Sequence, residues 1–131
     1  MALPNGAGGY QLGDGNLNEI NMVTQVAPTA KTAAATLTAA ELATGIITFN
    51  GTAGNLTVPL GTSLDAAFPS MKVDSCFDFS IINTDASDAA TVTANTGCTL
   101  VGVAAVSAVS SCTWRVRKTG EATYVFYRIA G

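Results

Sequence analysis

The sequence predicts an all-β fold: an antiparallel β-sandwich or jelly-roll-like body over 31–131, an extended N-terminal arm over 1–30, and one or two short helical turns. Three observations predict it. Runs of β-branched and aromatic residues recur roughly every eight to twelve positions with Gly, Asn, Asp or Pro between them, the spacing of sandwiches and barrels. The chain is 131 residues long and 48% hydrophobic, enough for one buried core. Its opening segment, by contrast, crowds Gly6, Gly8, Gly9, Gly13 and Gly15 together and shows no hydrophobic period.

That opening segment has too little apolar surface to offset the entropy of fixing its backbone, so it reads as an arm that orders on contact with a partner. Leu17, Ile20, Met22 and Val23 supply apolar anchors near its end, and Pro28 closes it. Beyond it, Thr32 to Leu37 alternates weakly. Thr38-x-x-Glu41 is a capping-box pattern, and Gly45 is placed to end a short helix. Ile46 to Asn50 and Leu56 to Leu60, joined by Gly51-Thr52-Ala53-Gly54, read as a hairpin, with Pro59 confining the second strand to an edge or a strand end. Thr62-x-x-Asp65 is a second cap-like signal, stopped at Pro69.

In Cys76 to Asn83, Phe77, Phe79 and Ile81 alternate with Asp78, Ser80 and Ile82, the pattern of a half-buried strand. Ala90 to Ala94 and Thr99 to Val101 read as another hairpin around Asn95-Thr96-Gly97. In the last pair, Cys112, Trp114 and Val116 face one way and Thr113, Arg115 and Arg117 the other. After a turn at Lys118 to Glu121, Thr123, Val125, Tyr127 and Ile129 oppose Tyr124, Phe126 and Arg128. About seven or eight strands result.

Composition narrows the function. Charged residues make up 11% of the chain, His is absent, and six Lys and Arg against nine Asp and Glu leave a net charge of -3. No basic footprint for nucleic acid exists. Without His the usual Ser or Cys triads cannot be assembled, so Ser107, Ser110 and Ser111 read as loop and strand-edge residues. The apolar stretch Leu100 to Val109 is about half the length of a membrane-spanning helix, and the N-terminus lacks the features of a secretory signal.

The remaining motifs are weak. Gly6-x-Gly8 lacks the third glycine of a dinucleotide loop, since position 11 is Gln11, and no cofactor is expected. Asp14 to Asn18 imitates the start of a calcium loop, but Glu19 stands where Gly is required and Gln25 where Glu is required; a looser cation site using Asp14, Asn16, Asn18 and Glu19 stays open beside a chain of Asx turns. Asp74 with Asp78 and Asp85 with Asp88 are paired carboxylates, which read as structural in preference to a glycosidase pair. Cys76, Cys98 and Cys112 read as reduced thiols; if two pair, Cys98 with Cys112 is favoured by their predicted neighbouring strands. Arg115, Arg117, Lys118 and Arg128 gather in the final hairpin beside Trp114, Tyr124 and Tyr127. They form either an aromatic-basic contact patch or a solvated strand face.

Gly8-Gly9-Tyr10-Gln11-Leu12-Gly13-Asp14-Gly15-Asn16-x-Asn18-Glu19 and Phe77 to Thr84 resemble segments of small virion structural proteins of tailed bacteriophages. Thr99 to Gly102, Trp114 to Gly120 and Tyr124-x-x-Tyr127-Arg128 extend the resemblance over most of the chain. It implies a non-enzymatic head decoration, or cement, protein: a β-rich body, a homotrimer, seated on the outer surface of the virion at or near local three-fold positions after synthesis in the host cytoplasm. It implies the major capsid protein and the chain itself as partners, with no nucleic acid and no membrane. Gly9, Tyr10, Gln11, Leu12, Asp14, Asn16 and Glu19 would carry the arm's contacts. The alternatives are a head-fibre or tail-associated adhesion module using the basic hairpin, and a carbohydrate-binding or carboxylate-based glycan hydrolase domain.

Overall fold

The computed structural model describes residues 22–131. Among them the elements run β1 (Thr29–Lys31), β2 (Ala35–Thr36), α1 (Ala39–Ala43), β3 (Ile46–Phe49), β4 (Gly54–Thr57), α2 (Gly61–Ala67), β5 (Cys76–Asn83), β6 (Ala90–Thr93), β7 (Cys98–Val101), β8 (Ala105–Val106), β9 (Ser110–Gly120) and β10 (Thr123–Ala130). The fold is mostly β, with two sheets and two helices. One sheet has six strands in the order β1-β3-β5-β9-β10-β7; the other has four, β2-β4-β6-β8. β1 begins at Thr29, just inside the segment assigned to the arm.

From β1 to β9 the chain changes sheet at every strand. Neighbours within a sheet are therefore laid down one circuit apart, and β1 with β3, β3 with β5, β2 with β4 and β4 with β6 all run parallel. β7 is also parallel to β10. Only β5 with β9, β9 with β10 and β6 with β8 are antiparallel among the described residues. This corrects the purely antiparallel expectation, and with it two of the expected hairpins. β3 and β4 lie in different sheets, as do β6 and β7.

The physical reason lies in the glycines between them. A Cβ on Gly51 would land on the Thr32 carbonyl, and one on Gly54 would crowd Ala34. The β3-to-β4 corner thus stacks directly on the β1-to-β2 corner, and Gly51 is there for close backbone approach, where a turn reading assumed chain reversal. The third corner follows suit: Asn50 donates its N–H to the Lys31 carbonyl, and Thr84 donates to that of Phe49. On the opposite side, the Gly61 N–H reaches the Thr96 carbonyl and the Asn95 amide reaches that of Val58, so the supposed 95–97 turn packs on the start of α2.

The final hairpin forms as the alternation predicts. Phe126 faces Val116 and Arg128 faces Trp114 across β9 and β10, while Phe79 faces Trp114 across β5 and β9. Trp114, Val116, Tyr124 and Phe126 are fully buried. They share one core with Ile47, Phe49, Phe79 and Ile81 of the same sheet and Leu56, Ala90, Val92 and Val106 of the other. Each large apolar side chain buried this way contributes roughly 1.5–3 kcal/mol before entropy is counted. Phe79 and Phe126 meet edge to face, their centroids 6.1 Å apart.

α1 carries the expected capping box: the Glu41 N–H donates to Thr38 Oγ1, and the Thr38 N–H donates to Glu41 Oε1. α2 exists, but it starts at Gly61 with Leu60 at the N-cap and no side-chain cap. Thr62 therefore does not cap it, and Asp65 is engaged elsewhere. Neither helix is long and apolar enough to cross a membrane.

Candidate functional site

Strand alternation decides where the four basic residues of the hairpin go. Residues facing one another across a ladder share a sheet face. Arg115 and Arg117 fall on the outer face of the six-stranded sheet. Lys118, opposite Tyr124, and Arg128, opposite Trp114, fall on the inner face at opposite ends of the core. The hairpin brings the four together in sequence, and its geometry divides them.

Each is engaged within the chain. Arg115 grips Asp78, its direct partner on β5, through Nε at 2.8 Å and Nη2 at 3.0 Å, and these bonds hold the Asp78 carboxyl below its usual range. Arg117 donates to Asp74 Oδ1 and to the Tyr127 hydroxyl. Lys118 lies 3.1 Å from Asp65 Oδ1 and bonds the Met71 carbonyl. Arg128 donates to the carbonyls of Val103 and Ala105, tying the end of one sheet to the approach of β8 in the other. Trp114 and Tyr124 are core residues, which corrects the aromatic-basic patch: of its three aromatics only Tyr127 lies on the outer face with Arg115 and Arg117.

Of the paired carboxylates, Asp78 and Asp74 bind Arg115 and Arg117, and Asp85 binds backbone N–H groups; Asp65, outside those pairs, is engaged as fully. Asp65, from α2, accepts the Tyr124 hydroxyl at 2.6 Å and the Ala122 N–H at 2.7 Å, pinning the β9–β10 turn to the helix. The hydroxyl bond, followed by those from Lys118 and Ala122, lowers its pKa. Ala122 sits at φ +52°, and this anchoring holds that left-handed residue in place. Asp85 accepts the N–H groups of Ser87 and Asp88, which lower its pKa and shape the β5-to-β6 corner. Buried Asn83 completes that corner by donating to the carbonyls of Asp88 and Val106 and accepting from the Asp85 N–H.

Cys76, Cys98 and Cys112 are free thiols. Cys98 and Cys112 flank β10 on β7 and β9, so they are not on adjacent strands as expected. Burial raises the Cys98 thiol to about 11 and raises that of Cys112, whose sulfur accepts the Trp114 indole N–H. Cys76 is exposed. It borders an open apolar groove of about 390 Å³ lined by Leu42, Ala43, Phe68, Met71 and Phe77. The alternation puts Phe77 on one face with Phe79 and Ile81, and it does pack against the core, but alternation alone does not show that it also lines this groove. A signal existed in the lengths: the Cys76 to Asn83 run is longer than the Ile46 to Asn50 run, and the strands they form have eight and four residues.

The arm residues Gly9, Tyr10, Gln11, Leu12, Asp14, Asn16 and Glu19, and the loose cation site with Asn18, lie outside the described residues. No family model, no curated protein and no solved structure matches the chain.

Proposed function

We propose that this chain is a non-enzymatic capsid decoration, or cement, protein of a tailed phage, binding the major capsid protein lattice from the outer surface and stabilising the head as a homotrimer. In this reading the two sheets pack as a β-sandwich, and the arm residues Gly9 to Glu19 engage the capsid protein. The observation that carries it is the scarcity of free charge on a chain already poor in charge. Lys31 with Glu41, Arg115 with Asp78, Arg117 with Asp74 and Lys118 with Asp65 cancel in pairs. A free monomer relies on more charge than this for solubility, so such a surface suits a protein whose faces are covered by partners. Reinforcing a shell needs no chemistry: many copies that bind the assembled state and not the loose one stabilise it by mass action.

The test is sedimentation of the purified protein alone and with undecorated phage heads. Trimers that co-sediment with heads and raise their resistance to heat are expected. A monomer indifferent to heads that instead binds host polysaccharide would overturn this reading in favour of the adhesion module.

A further inference from the structure

The groove beside Cys76 runs along a stretch of sheet that lacks a neighbour among the described residues. β5 pairs with β9 from Cys76 to Asn83 but with β3 only from Ser80 to Asn83, because the chain before Ile46 has turned away into α1. The Ser80 N–H donates to the Gly45 carbonyl and the Thr84 N–H to that of Phe49, so the even-numbered residues of β5 direct their backbone groups to the β3 side. The N–H and C=O of Cys76 and Asp78 point to that side too, and they have no backbone partner among the described residues. Cys76, Phe77 and Asp78 also line the groove, together with Leu42 and Ala43 of α1 and Met71 beyond α2. Open backbone groups along an apolar groove are the geometry of strand addition, in which backbone bonds supply affinity and every second side chain enters a pocket.

We infer that the occupant is a short extended segment of a partner protein, apolar at two alternate positions and acidic beside them. Its length follows from the sheet: β3 takes the edge from Ser80 onward, which leaves Cys76 to Phe79. Its backbone is extended, since the open groups lie two residues apart along one strand edge. A second copy offering its own Cys76 to Phe79 edge fits poorly, because each copy's β3 and α1 stand on the side where that pairing would form. A free segment brings no such bulk. The charge preference comes from Lys72. Among the described residues it is the one cation whose side chain makes neither an ion pair nor a hydrogen bond, and it directly follows Met71 of the groove. The acids around it are already answered: Arg115 holds both oxygens of Asp78, Arg117 holds Asp74, and Lys31 holds Glu41. An acidic residue next to the apolar pair therefore meets an unpaired cation and no unpaired carboxylate. Screening confines such attractions to about 8 Å at physiological salt, so this local balance outweighs the overall charge of -3. The inference does not depend on the phage reading.

The probe is the acetylated, amidated pentapeptide Glu-Leu-Thr-Leu-Glu, added to the full chain. At saturation it should protect the Asp78 N–H from exchange and slow alkylation of Cys76, the exposed thiol, each at least about tenfold. N-methylating the peptide throughout removes its backbone donors and should weaken binding at least about tenfold. Equal binding would mean that no strand is added, and overturns the inference. Exchanging both Glu for Lys should weaken binding about fivefold in the unaltered chain and restore it in Lys72→Glu. Indifference to peptide charge in both chains overturns it as well. Ala43→Gln, at an exposed helix position on the groove wall, should reduce binding with the denaturation midpoint unchanged; undiminished binding would place the peptide elsewhere and overturn the site. Asp78 N–H protection equal to that of Ser80 before any peptide is added would show the edge already filled by this chain or a second copy. Absence of binding at millimolar peptide would show that it takes none. Either result overturns the inference.

Discussion

In the β9–β10 hairpin, Phe126 faces Val116 and Tyr127 faces Arg115 across a turn only a few residues away. In the coil from β1 to β6, Ile47 faces Thr29 on one side and Ile81 on the other, each reached only after a passage through the second sheet. Both regions feed the same core, and both alternate buried with exposed residues. The hairpin's register is set locally, by the turn that Asp65 anchors. The coil's register is set by how one corner sits on the last, which is why Gly51 must admit the Thr32 carbonyl and Asn83 must satisfy the carbonyls of Asp88 in its own corner and Val106 in β8. Local pattern therefore specifies which face of a strand is buried, and corner stacking specifies which strand lies beside it.

The comparison breaks first at the hairpin's core. Trp114→Ala removes the largest fully buried side chain and should cost about 3–5 kcal/mol in urea denaturation. A loss below about 1 kcal/mol would mean that the hairpin is peripheral to the core. The coil is probed at its corners. Gly51→Ala should cost about 1–3 kcal/mol by forcing a backbone shift against Thr32, whereas Thr52→Ala, at an exposed neighbour, should stay within about 0.5 kcal/mol. Equal effects would return Gly51 to the status of an ordinary loop residue. Asn83→Ala leaves buried carbonyls without their donor and should cost a similar 1–3 kcal/mol, roughly, with faster amide exchange in β6 and β8 as the local readout.

Acid sharpens the contrast further. Asp65, Asp78, Asp85 and Glu41 all have pKa values lowered by folding; for Glu41, burial acts upward, but bonds from Lys31 and Thr38 outweigh it. A carboxyl lowered on folding adds stability above its unfolded pKa, here 3.8 for Asp and 4.5 for Glu, and that stability is lost as pH falls through the folded value. The denaturation midpoint should be flat from pH 7 to about pH 5 and then fall. Asp65→Asn should make the fall shallower and loosen the Ala122 turn, visible as faster exchange there and not in β3 or β4. The smallest effect belongs to Arg115→Ala: its pair with Asp78 is about half exposed and screened by solvent, so the denaturation midpoint should move least of all these variants, and less still in high salt.

Legibility in the sequence follows the same division. α1 was readable because its capping box is a contact between Thr38 and Glu41, three residues apart. α2 was readable as a helix, but Thr62-x-x-Asp65 misled on its start because Asp65 answers to Ala122 and Tyr124, far along the chain. The basic cluster looked continuous because four cations fall close together. Period-two alternation already separated Arg115 and Arg117 from Lys118 and Arg128, and only the ladder showed each one's partner. The groove went unread because it arises from a difference in length between two strands brought together from distant parts of the chain.

By itself, then, the sequence determined the mostly β character, the buried faces of β5 and β9, the alternation of β10 and the capped start of α1, since each rests on side-chain period or on contacts within a few residues. The tertiary structure alone decided that the strands coil between two sheets, that the glycine corners stack, that the hairpin cations are spent within the chain, and that Cys76 to Phe79 keeps an open edge. These depend on which distant backbones can approach closely enough to bond, and that is a property of the packed chain as a whole.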